Sequence, residues 1–307
     1  MLFNRILITG ANGLLGQALV RRMSRFPEYD VLATARDDAP RFEGASCGYV
    51  PMDVTRPSEV DDVFEDFAPD VVINCAALSD VQDCRENRAE AHAVNARAVK
   101  TLASRCRPIG ARLVQVSSDF VFDGTDGPYE EGDRPNPINY YGRTKLAGEN
   151  AVREAGLSKW SIARTVLVYG TGQALSRSNV VLWVIEQLSD GSPIHVVDDQ
   201  WRTPTYVEDL AKGIERMVHF EKTGIYHLSG REMMTVYDLA CTVADVFGLD
   251  ASLIHPVSSD YFADAVDRPP RTGFLILKAE SELGFKPRSL PEGLRHLGRR
   301  LGRPVAS

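Results

Sequence analysis

The stretch Gly10-Ala11-Asn12-Gly13-Leu14-Leu15-Gly16 decides the fold. It follows the apolar run Ile6-Leu7-Ile8 and precedes a helix-patterned segment, so the order is strand, glycine-rich turn, helix. Gly10 allows a sharp turn, Gly13 lets backbone N–H groups approach a phosphate, and Gly16 lets the helix pack close to the strand. The helix N-terminus adds a partial positive charge. The glycines alone would also suit a structural turn, but in this position they predict a dinucleotide-binding site.

The first half of the chain alternates short apolar strands with helical segments. Val31–Ala35, Val71–Asn74 and Arg112–Val116 have the pattern of buried strands, and Pro57–Phe67 and Arg88–Arg107 that of helices. Buried strands separated by helices are typical of a parallel sheet with helices on both faces. The sequence therefore predicts an α/β fold of the Rossmann type, with a doubly wound parallel sheet.

The alternation becomes irregular after Trp160–Tyr169, which has the pattern of one more strand. We therefore expect a dinucleotide-binding domain over 1–169, with a returning segment near 198–222. Residues 170–307 would form mainly a smaller α/β lobe that binds the substrate. Since ligands of open α/β sheets bind at the carboxyl ends of the strands, the substrate is expected between the two parts.

The composition excludes several classes of protein. The 307 residues carry a formal net charge of −7, which argues against a general nucleic-acid surface. The five cysteines are widely spaced with no C-x-x-C pair, so neither a zinc site nor a disulfide framework is predicted, as suits a reducing cytoplasm. No signal peptide and no stretch of membrane-spanning length is recognised, and no metal is assigned.

The stretch Tyr141-Gly142-Arg143-Thr144-Lys145 is a candidate catalytic motif. Tyr141 and Lys145 are four residues apart and share a helix face, whereas Tyr140 faces elsewhere. A nearby ammonium would lower the pKa of the tyrosine, which could then exchange a proton with a carbonyl or alcohol oxygen near neutral pH. A surface pair is the alternative interpretation of this spacing.

A hydroxyl group completes the predicted set. Ser118 follows the strand Arg112–Val116, at the sheet edge where ligands bind. It could hydrogen-bond a substrate carbonyl while Tyr141 protonates it. Ser118, Tyr141 and Lys145 are therefore the predicted catalytic residues, and their conjunction with the three glycines is more specific than any one motif.

With these motifs the chain resembles the extended short-chain dehydrogenase/reductases, and within them the dTDP-4-dehydrorhamnose reductases. The resemblance covers essentially the whole chain. It is carried, beyond the glycines and Tyr141–Lys145, by four stretches: Asn74-Cys75-Ala76-Ala77, Ser117-Ser118-Asp119-Phe120-Val121-Phe122-Asp123-Gly124, Asp199-Gln200-Trp201-Arg202-Thr203-Pro204-Thr205 and Arg268-Pro269-Pro270. Ser118 stands where the family usually has threonine, and Phe120 where many members have tyrosine.

The resemblance implies a role for each matched residue. Tyr141 would donate the proton, and Lys145 would bind the nicotinamide ribose and tune the tyrosine. The residues implied to bind the cofactor are Gly10, Asn12, Gly13, Leu14, Leu15, Gly16, Arg36, Asp53, Val54, Ala76, Ala77, Asn95, Tyr141 and Lys145. The residues implied to contact the substrate, a nucleotide sugar, are Asp119, Phe120, Asn179, Trp201, Arg202 and Arg268.

The end of the second strand bears on the choice of cofactor. Rossmann domains that select NAD usually place an acid there to bind the ribose 2′-OH. Here the strand ends Thr34-Ala35-Arg36, and Arg36 could pair with a 2′-phosphate. The sequence therefore favours NADPH, with NADH possible because Asp37 or Asp38 could reach a ribose. A solvated loop charge is the alternative for Arg36.

The predicted function is NAD(P)H-dependent reduction of a 4-keto nucleotide sugar, dTDP-4-dehydro-L-rhamnose to dTDP-L-rhamnose. Two alternatives stay open: a nucleotide-sugar epimerase with bound NAD, and a regulatory subunit that binds a dinucleotide without turnover. No Glu adjoins Asp119, which disfavours a dehydratase. Similarity also suggests a cytoplasmic homodimer, without nucleic-acid or membrane partners.

Overall fold

The computed structural model describes residues 4–262 and 267–306. The strands are β1 (Asn4–Thr9), β2 (Tyr29–Ala35), β3 (Gly48–Pro51), β4 (Val71–Asn74), β5 (Arg112–Ser118), β6 (Trp160–Thr165), β7 (Val168–Tyr169), β8 (Ile194–Val197), β9 (Trp201–Arg202), β10 (Thr205–Tyr206), β11 (Gly224–His227), β12 (Met234–Thr235), β13 (Ile254–Val257) and β14 (Arg271–Thr272). The helices are α1 (Leu14–Met23), α2 (Pro57–Phe67), α3 (Val81–Glu86), α4 (Arg88–His92), α5 (Ala98–Ile109), α6 (Tyr140–Glu154), α7 (Val180–Ser189), α8 (Val207–His219), α9 (Val236–Phe247), α10 (Leu277–Leu283) and α11 (Leu290–Leu301).

Seven strands form one parallel sheet in the order β11-β6-β5-β4-β1-β2-β3. The order reverses between β1 and β4, so the chain leaves these neighbours toward opposite edges. A crevice opens at such a point beyond the carboxyl ends of the strands. The glycine turn follows β1 there, and the segment 75–78 follows β4. The predicted doubly wound α/β fold is confirmed, with β11 as a further strand.

The sheet is buried on both faces because its strands are apolar on both sides. On β1, Ile6 and Ile8 enter one hydrophobic cluster with helix α1, whereas Leu7 enters the opposite cluster with α2 and α5. The first cluster continues into the second half of the chain through Leu239 and Leu294. The C-terminal elements are thus packed onto the face that carries α1 and α8.

The C-terminal half adds three small sheets, β10-β7, β12-β9-β14 and β13-β8. The expectation of one strand over Trp160–Tyr169 is wrong: Leu167 has a left-handed φ of 37°, which ends β6 before β7 pairs with β10. The division at residue 169 stays a prediction. No helix within residues 4–262 or 267–306 is long and apolar enough to cross a bilayer.

Candidate active site

The glycine turn brings two backbone segments into close contact. Gly10 has a φ of +66°, and a Cβ there would lie 2.7 Å from the Ala76 backbone nitrogen. A Cβ on Gly16 would overlap the Gly10 carbonyl oxygen, so α1 can start close to β1 only with glycine at this position. Gly13 is the N-cap of α1 and supplies no side-chain cap. The first N–H groups of α1, at Leu14 and Leu15, therefore lack an intrahelical acceptor and suit an anion.

A cavity of about 280 Å³ opens beside this turn. Eight of the residues predicted to bind the cofactor line it: Gly10, Asn12, Gly13, Arg36, Asp53, Val54, Ala76 and Ala77. Leu14, Leu15, Gly16, Asn95, Tyr141 and Lys145 do not line it. Residues that the sequence argument did not assign also do, among them Arg41, Glu90 and Ser176. Their positions depend on loop conformations that no local pattern encodes.

The loop after β2 is fixed by the side chain of Asn12. Its amide donates to Asp37 Oδ2 (2.7 Å), and its carbonyl accepts from the Arg41 backbone N–H (2.9 Å). Arg41 also donates to Asp37 Oδ1 at 2.8 Å. The Asp37 carboxylate, the nearest acid to the end of β2, is thus engaged by two partners. Arg36 remains well exposed, with a long ion pair to Glu90 of 3.4 Å.

A loop from the C-terminal half also reaches the glycine turn. Gln17 on α1 donates to the Gln173 carbonyl and accepts from the Gln173 N–H, both at 2.8 Å. Arg41 donates to the Ala174 carbonyl at 3.3 Å, and Arg177 pairs with Asp80, the N-cap of α3. This strap, formed by residues 173–177, places Ser176 at the cavity and Arg177 near Tyr141.

Helix α6 carries two of the catalytic candidates and is held tightly. A Cβ on Gly142 would overlap the Phe120 carbonyl oxygen, and one on Gly148 would overlap that of Asn95. The buried Asn95 amide donates to Thr144 Oγ1 (3.0 Å) and to the Leu78 carbonyl (2.9 Å). Asn95 therefore joins α6 to the segment after β4, rather than lining the cavity.

The three catalytic candidates meet at the end of β5. The Ser118 hydroxyl lies beside that of Tyr141 and donates to Asp119 Oδ1 at 3.0 Å. Lys145 is buried and donates from Nζ to the Val116 carbonyl at 2.8 Å. The structure thus brings a serine, a tyrosine and a lysine to the strand ends next to the dinucleotide cavity.

The pKa values of this set differ from the sequence-based expectation. Burial raises the pKa of Tyr141, with a smaller opposing effect from the neighbouring Ser118 hydroxyl. The prediction of a lowered tyrosine pKa is wrong, because burial outweighs any stabilisation of the phenolate by the Lys145 ammonium, which donates to the β5 backbone. Burial also lowers the pKa of Lys145 to about 8. Near pH 7 Tyr141 is therefore protonated and suited to donate a proton.

The side that faces the predicted substrate is assembled from distant segments. Asp119 is buried and accepts from Thr272 Oγ1 at 2.5 Å, and its Oδ2 lies 4.0 Å from Arg202 Nε. Burial raises the pKa of Asp119, and Arg202 opposes that shift. The Arg202 guanidinium lies 5.4 Å from the centre of the Phe120 ring, whose edge packs on Tyr141 with the ring centres 5.8 Å apart. Asp119, Phe120 and Arg202 are thus brought to the catalytic candidates Ser118 and Tyr141.

The other predicted substrate residues differ in their surroundings. Asn179 caps α7 through Leu182 N–H and donates to the Gly170 carbonyl at 2.9 Å, so its side chain holds the backbone. Trp201 is 38% exposed, with the Arg271 guanidinium 5.7 Å from its ring centre. Burial lowers the pKa of Arg268, whose charge interacts with those of Asp80 and Arg177. Arg177 and Asp80, which the sequence argument missed, therefore belong to the same region as Arg268.

Comparisons with known proteins agree with this geometry. Residues 4–302 match the family model described as the RmlD substrate binding domain. The chain is 36% identical over 293 residues to the probable low-salt glycan biosynthesis reductase Agl14 of Haloferax volcanii, covering 94% of this chain and 95% of the relative. It is 35% identical over 291 residues to methionine adenosyltransferase 2 subunit beta of Bos taurus, covering 93% and 84%.

A solved structure extends the likeness to the whole fold. The dTDP-4-dehydrorhamnose reductase of Bacillus anthracis, crystallised with NADP, superposes with a TM-score of 0.84 at 31% identity, covering 97% of this chain and 99% of that one. The resemblance drawn from the motifs is therefore confirmed. Since the family model spans nearly the whole chain and the fold agrees with it, the protein belongs to the RmlD substrate-binding domain family, whose fold is of the extended short-chain dehydrogenase/reductase type.

Proposed function

We propose that this protein is an NADPH-dependent reductase of a nucleotide sugar and that it reduces the 4-keto group of dTDP-4-dehydro-L-rhamnose to give dTDP-L-rhamnose. The observation that carries the proposal is the placement of the Ser118 and Tyr141 hydroxyl groups side by side, with Lys145, at the strand ends next to the dinucleotide cavity. A serine hydroxyl beside a protonated tyrosine forms a site where a carbonyl oxygen can be held and protonated.

The glycine turn and the cavity beside it together fit a dinucleotide. The N–H groups of Leu14 and Leu15 suit a pyrophosphate, and the absence of a side chain on Gly13 leaves access to them. Arg36 suits a 2′-phosphate, because its guanidinium is exposed at the cavity wall while the Asp37 carboxylate is already engaged. When bound, the reduced nicotinamide supplies the hydride. NADH stays possible, since the ribose could still approach the acids of this loop.

The chain's own residues would orient the carbonyl and move the proton. The Ser118 hydroxyl would turn its proton from Asp119 to the carbonyl oxygen, to which the Tyr141 hydroxyl would also donate, and the Tyr141 proton would pass to that oxygen as its charge develops. The Lys145 ammonium, present below pH about 8, favours this transfer by stabilising the phenolate that remains. The close packing of α6 keeps the three groups in place, so little reorganisation is needed.

The substrate is assigned from the charges at the far end of the site. Arg202 lies against Phe120, Arg177 lies near Tyr141, and Arg268 lies near Arg177. These charges suit the phosphates of a nucleotide sugar. The solved relative named for dTDP-4-dehydrorhamnose supports the particular sugar.

The proposal is tested by mixing the protein with dTDP-4-dehydro-L-rhamnose and NADPH and following the absorbance of the reduced nicotinamide. We expect turnover that requires both compounds. If NADPH is oxidised with a different 4-keto sugar nucleotide but not with this one, the proposed substrate is wrong and the proposed reaction stands.

A second candidate is a regulatory subunit that binds a dinucleotide and a partner enzyme. The likeness to a methionine adenosyltransferase subunit favours it. The complete set of Ser118, Tyr141 and Lys145 favours the reductase. NADPH binding without oxidation of any 4-keto sugar nucleotide would support the regulatory role.

The expected homodimer and cytoplasmic location belong to this proposal as well. Light scattering of the purified protein would measure the oligomeric state, and cell fractionation would measure the location. Limited proteolysis would test the division between 1–169 and 170–307.

A further inference from the structure

The buried carboxylate of Glu149 lies behind the catalytic residues and accepts hydrogen bonds at both of its oxygens. Glu149 is fully buried, and Arg164 donates to it through two bonds of 2.8 Å, one to each oxygen. Ser117 Oγ donates to Oε1 at 2.7 Å, and Arg153 donates to Oε2 at 2.6 Å. A buried carboxylate with this number of donors holds its neighbours in a defined geometry.

The position of Glu149 connects this cluster to the site. It follows Lys145 by four residues and Tyr141 by eight, so all three occupy one face of α6. Its partner Ser117 immediately precedes Ser118 on β5, and Arg164 lies on β6. The carboxylate therefore ties the catalytic face of α6 to the ends of the two neighbouring strands.

We propose that Glu149 is a positioning residue of the reaction: through Ser117 and Arg164 it fixes α6 against β5 and β6, and its carboxylate acts on the Lys145 ammonium one helical turn away. The inference rests on the proposed reductase function, because it assigns a role within that site. The remaining contacts of α6, such as Gly142 against Phe120, set the distance of the helix from β5. The bonds of Glu149 set its register along the strand.

The electrostatic part follows from the groups that face Lys145. These are Glu149 on the same helix, Cys75 after β4 and Cys84 on α3, while β5 presents the Val116 carbonyl. Burial raises the thiol pKa to about 12 for Cys75 and about 11 for Cys84, so both are neutral near pH 8. Of the groups that face Lys145, Glu149 is the carboxylate, and its own partners Arg153 and Arg164 bear the opposite charge. The charge of Glu149 favours the ammonium of Lys145 against the cost of burial.

The test compares Glu149→Gln with Arg153→Gln. Turnover of the wild-type protein should fall as the pH rises through about 8, because Lys145 loses its proton there. In Glu149→Gln we expect kcat to be about ten- to a hundredfold lower and the NADPH affinity to be unchanged. The alkaline limb of its pH–kcat profile, where activity falls as the pH rises, should lie about one pH unit lower than in the wild-type protein. Arg153→Gln removes one donor from a partly exposed side chain and keeps the carboxylate, so its limb should stay near pH 8. A folded Glu149→Gln variant with the wild-type kcat and limb would overturn the proposal.

The single variant Glu149→Gln leaves the buried Arg164 guanidinium without its opposite charge, which destabilises the fold. The double variant Glu149→Met with Arg164→Met removes both charges and keeps the volume. We expect it to fold, with the low kcat and the shifted limb. If it folds and retains the wild-type kcat and pH profile, the role assigned to Glu149 is wrong.

A titration of Lys145 separates this inference from the function itself. With ¹³C-labelled lysine, NMR reports the ionisation of Lys145 without any turnover, and Lys145→Arg assigns the signal. We expect a midpoint near pH 8 that falls in Glu149→Gln and stays in Arg153→Gln. A midpoint that does not move refutes the electrostatic role, whether or not the protein reduces a sugar. If the protein reduces no 4-keto sugar nucleotide but the Lys145 midpoint falls in Glu149→Gln, only the proposed function is refuted.

Discussion

The two ends of the site are built in different ways. The cofactor side is made mostly of backbone from short stretches, such as the glycine turn packed on Ala76. The substrate side is made of side chains that are far apart in the chain: Thr272 bonds Asp119 across 153 positions, and Arg202 covers Phe120. A backbone-built site depends on a few glycines, whereas a site of this second kind can change one side chain at a time. In the proposed reductase, the part built from backbone would hold the dinucleotide and the part built from side chains would select the sugar.

The largest effect is expected where the two ends meet. Tyr141→Phe keeps the ring that packs on Phe120 but removes the proton, so kcat should fall by a factor of about 10² to 10⁴. NADPH affinity, measured by fluorescence titration, should not change. Tyr140→Phe is the matched control, since its hydroxyl bonds the exposed Arg88 carbonyl at 3.2 Å. If the two variants were equally active, Tyr141 would not be the proton donor.

A change in the backbone of the cofactor side should be nearly as severe. Gly10→Ala combines a left-handed φ of +66° with a Cβ 2.7 Å from Ala76 N, so the turn must shift. We expect NADPH to bind more than tenfold more weakly and the free energy of unfolding to fall by about 3 kcal/mol. Gly110→Ala has a φ of +68° and open space, and should cost about 1 kcal/mol without an effect on binding. Equal NADPH affinity in both variants would show that the turn does not hold the cofactor.

An exposed side chain at the cofactor side should have a selective effect. Arg36→Ala should lower kcat/KM for NADPH about tenfold and leave kcat/KM for NADH nearly unchanged, because only NADPH carries the 2′-phosphate. Arg56→Ala is the control, with similar exposure and a surface ion pair to Glu59, but away from the cavity wall. An NADH preference that survives Arg36→Ala would contradict the assignment of NADPH.

The smallest effect is expected from one side chain of the substrate side. Thr272→Val removes the hydroxyl that donates to Asp119, which still accepts from Ser118, so KM for the sugar should rise a few-fold, or about 1 kcal/mol. Thr205→Val loses a buried hydroxyl bonded to the Val166 carbonyl and should cost stability without changing KM. If the two variants had the same KM for the sugar, Asp119 would have no part in substrate binding.

What the sequence predicts correctly is local. The glycine spacing and the four-residue interval from Tyr141 to Lys145 reflect chain geometry over a few residues, so the fold and the meeting of the catalytic set could be inferred. β3 was missed because Gly48–Pro51 is short and mostly exposed. The break at Leu167 was missed because a left-handed leucine has no pattern of its own.

What the sequence does not predict depends on tertiary contacts. Arg177 pairs with Asp80 because the strap brings this part of the C-terminal half to α3. Arg41 reaches the cavity because its backbone N–H donates to the side chain of Asn12. The pKa of Tyr141 was expected to fall because the sequence displays the charge of Lys145. The burial that raises it is visible only in the folded chain.

The most direct test of the central claim follows a labelled hydride. The protein is incubated with dTDP-4-dehydro-L-rhamnose and NADPH that carries deuterium at the transferable position of the nicotinamide, and the product is analysed by NMR. We predict deuterium at C4 of the sugar with the wild-type protein and almost none with Tyr141→Phe. Tight NADPH binding by the wild-type protein without deuterium in the sugar would contradict the account.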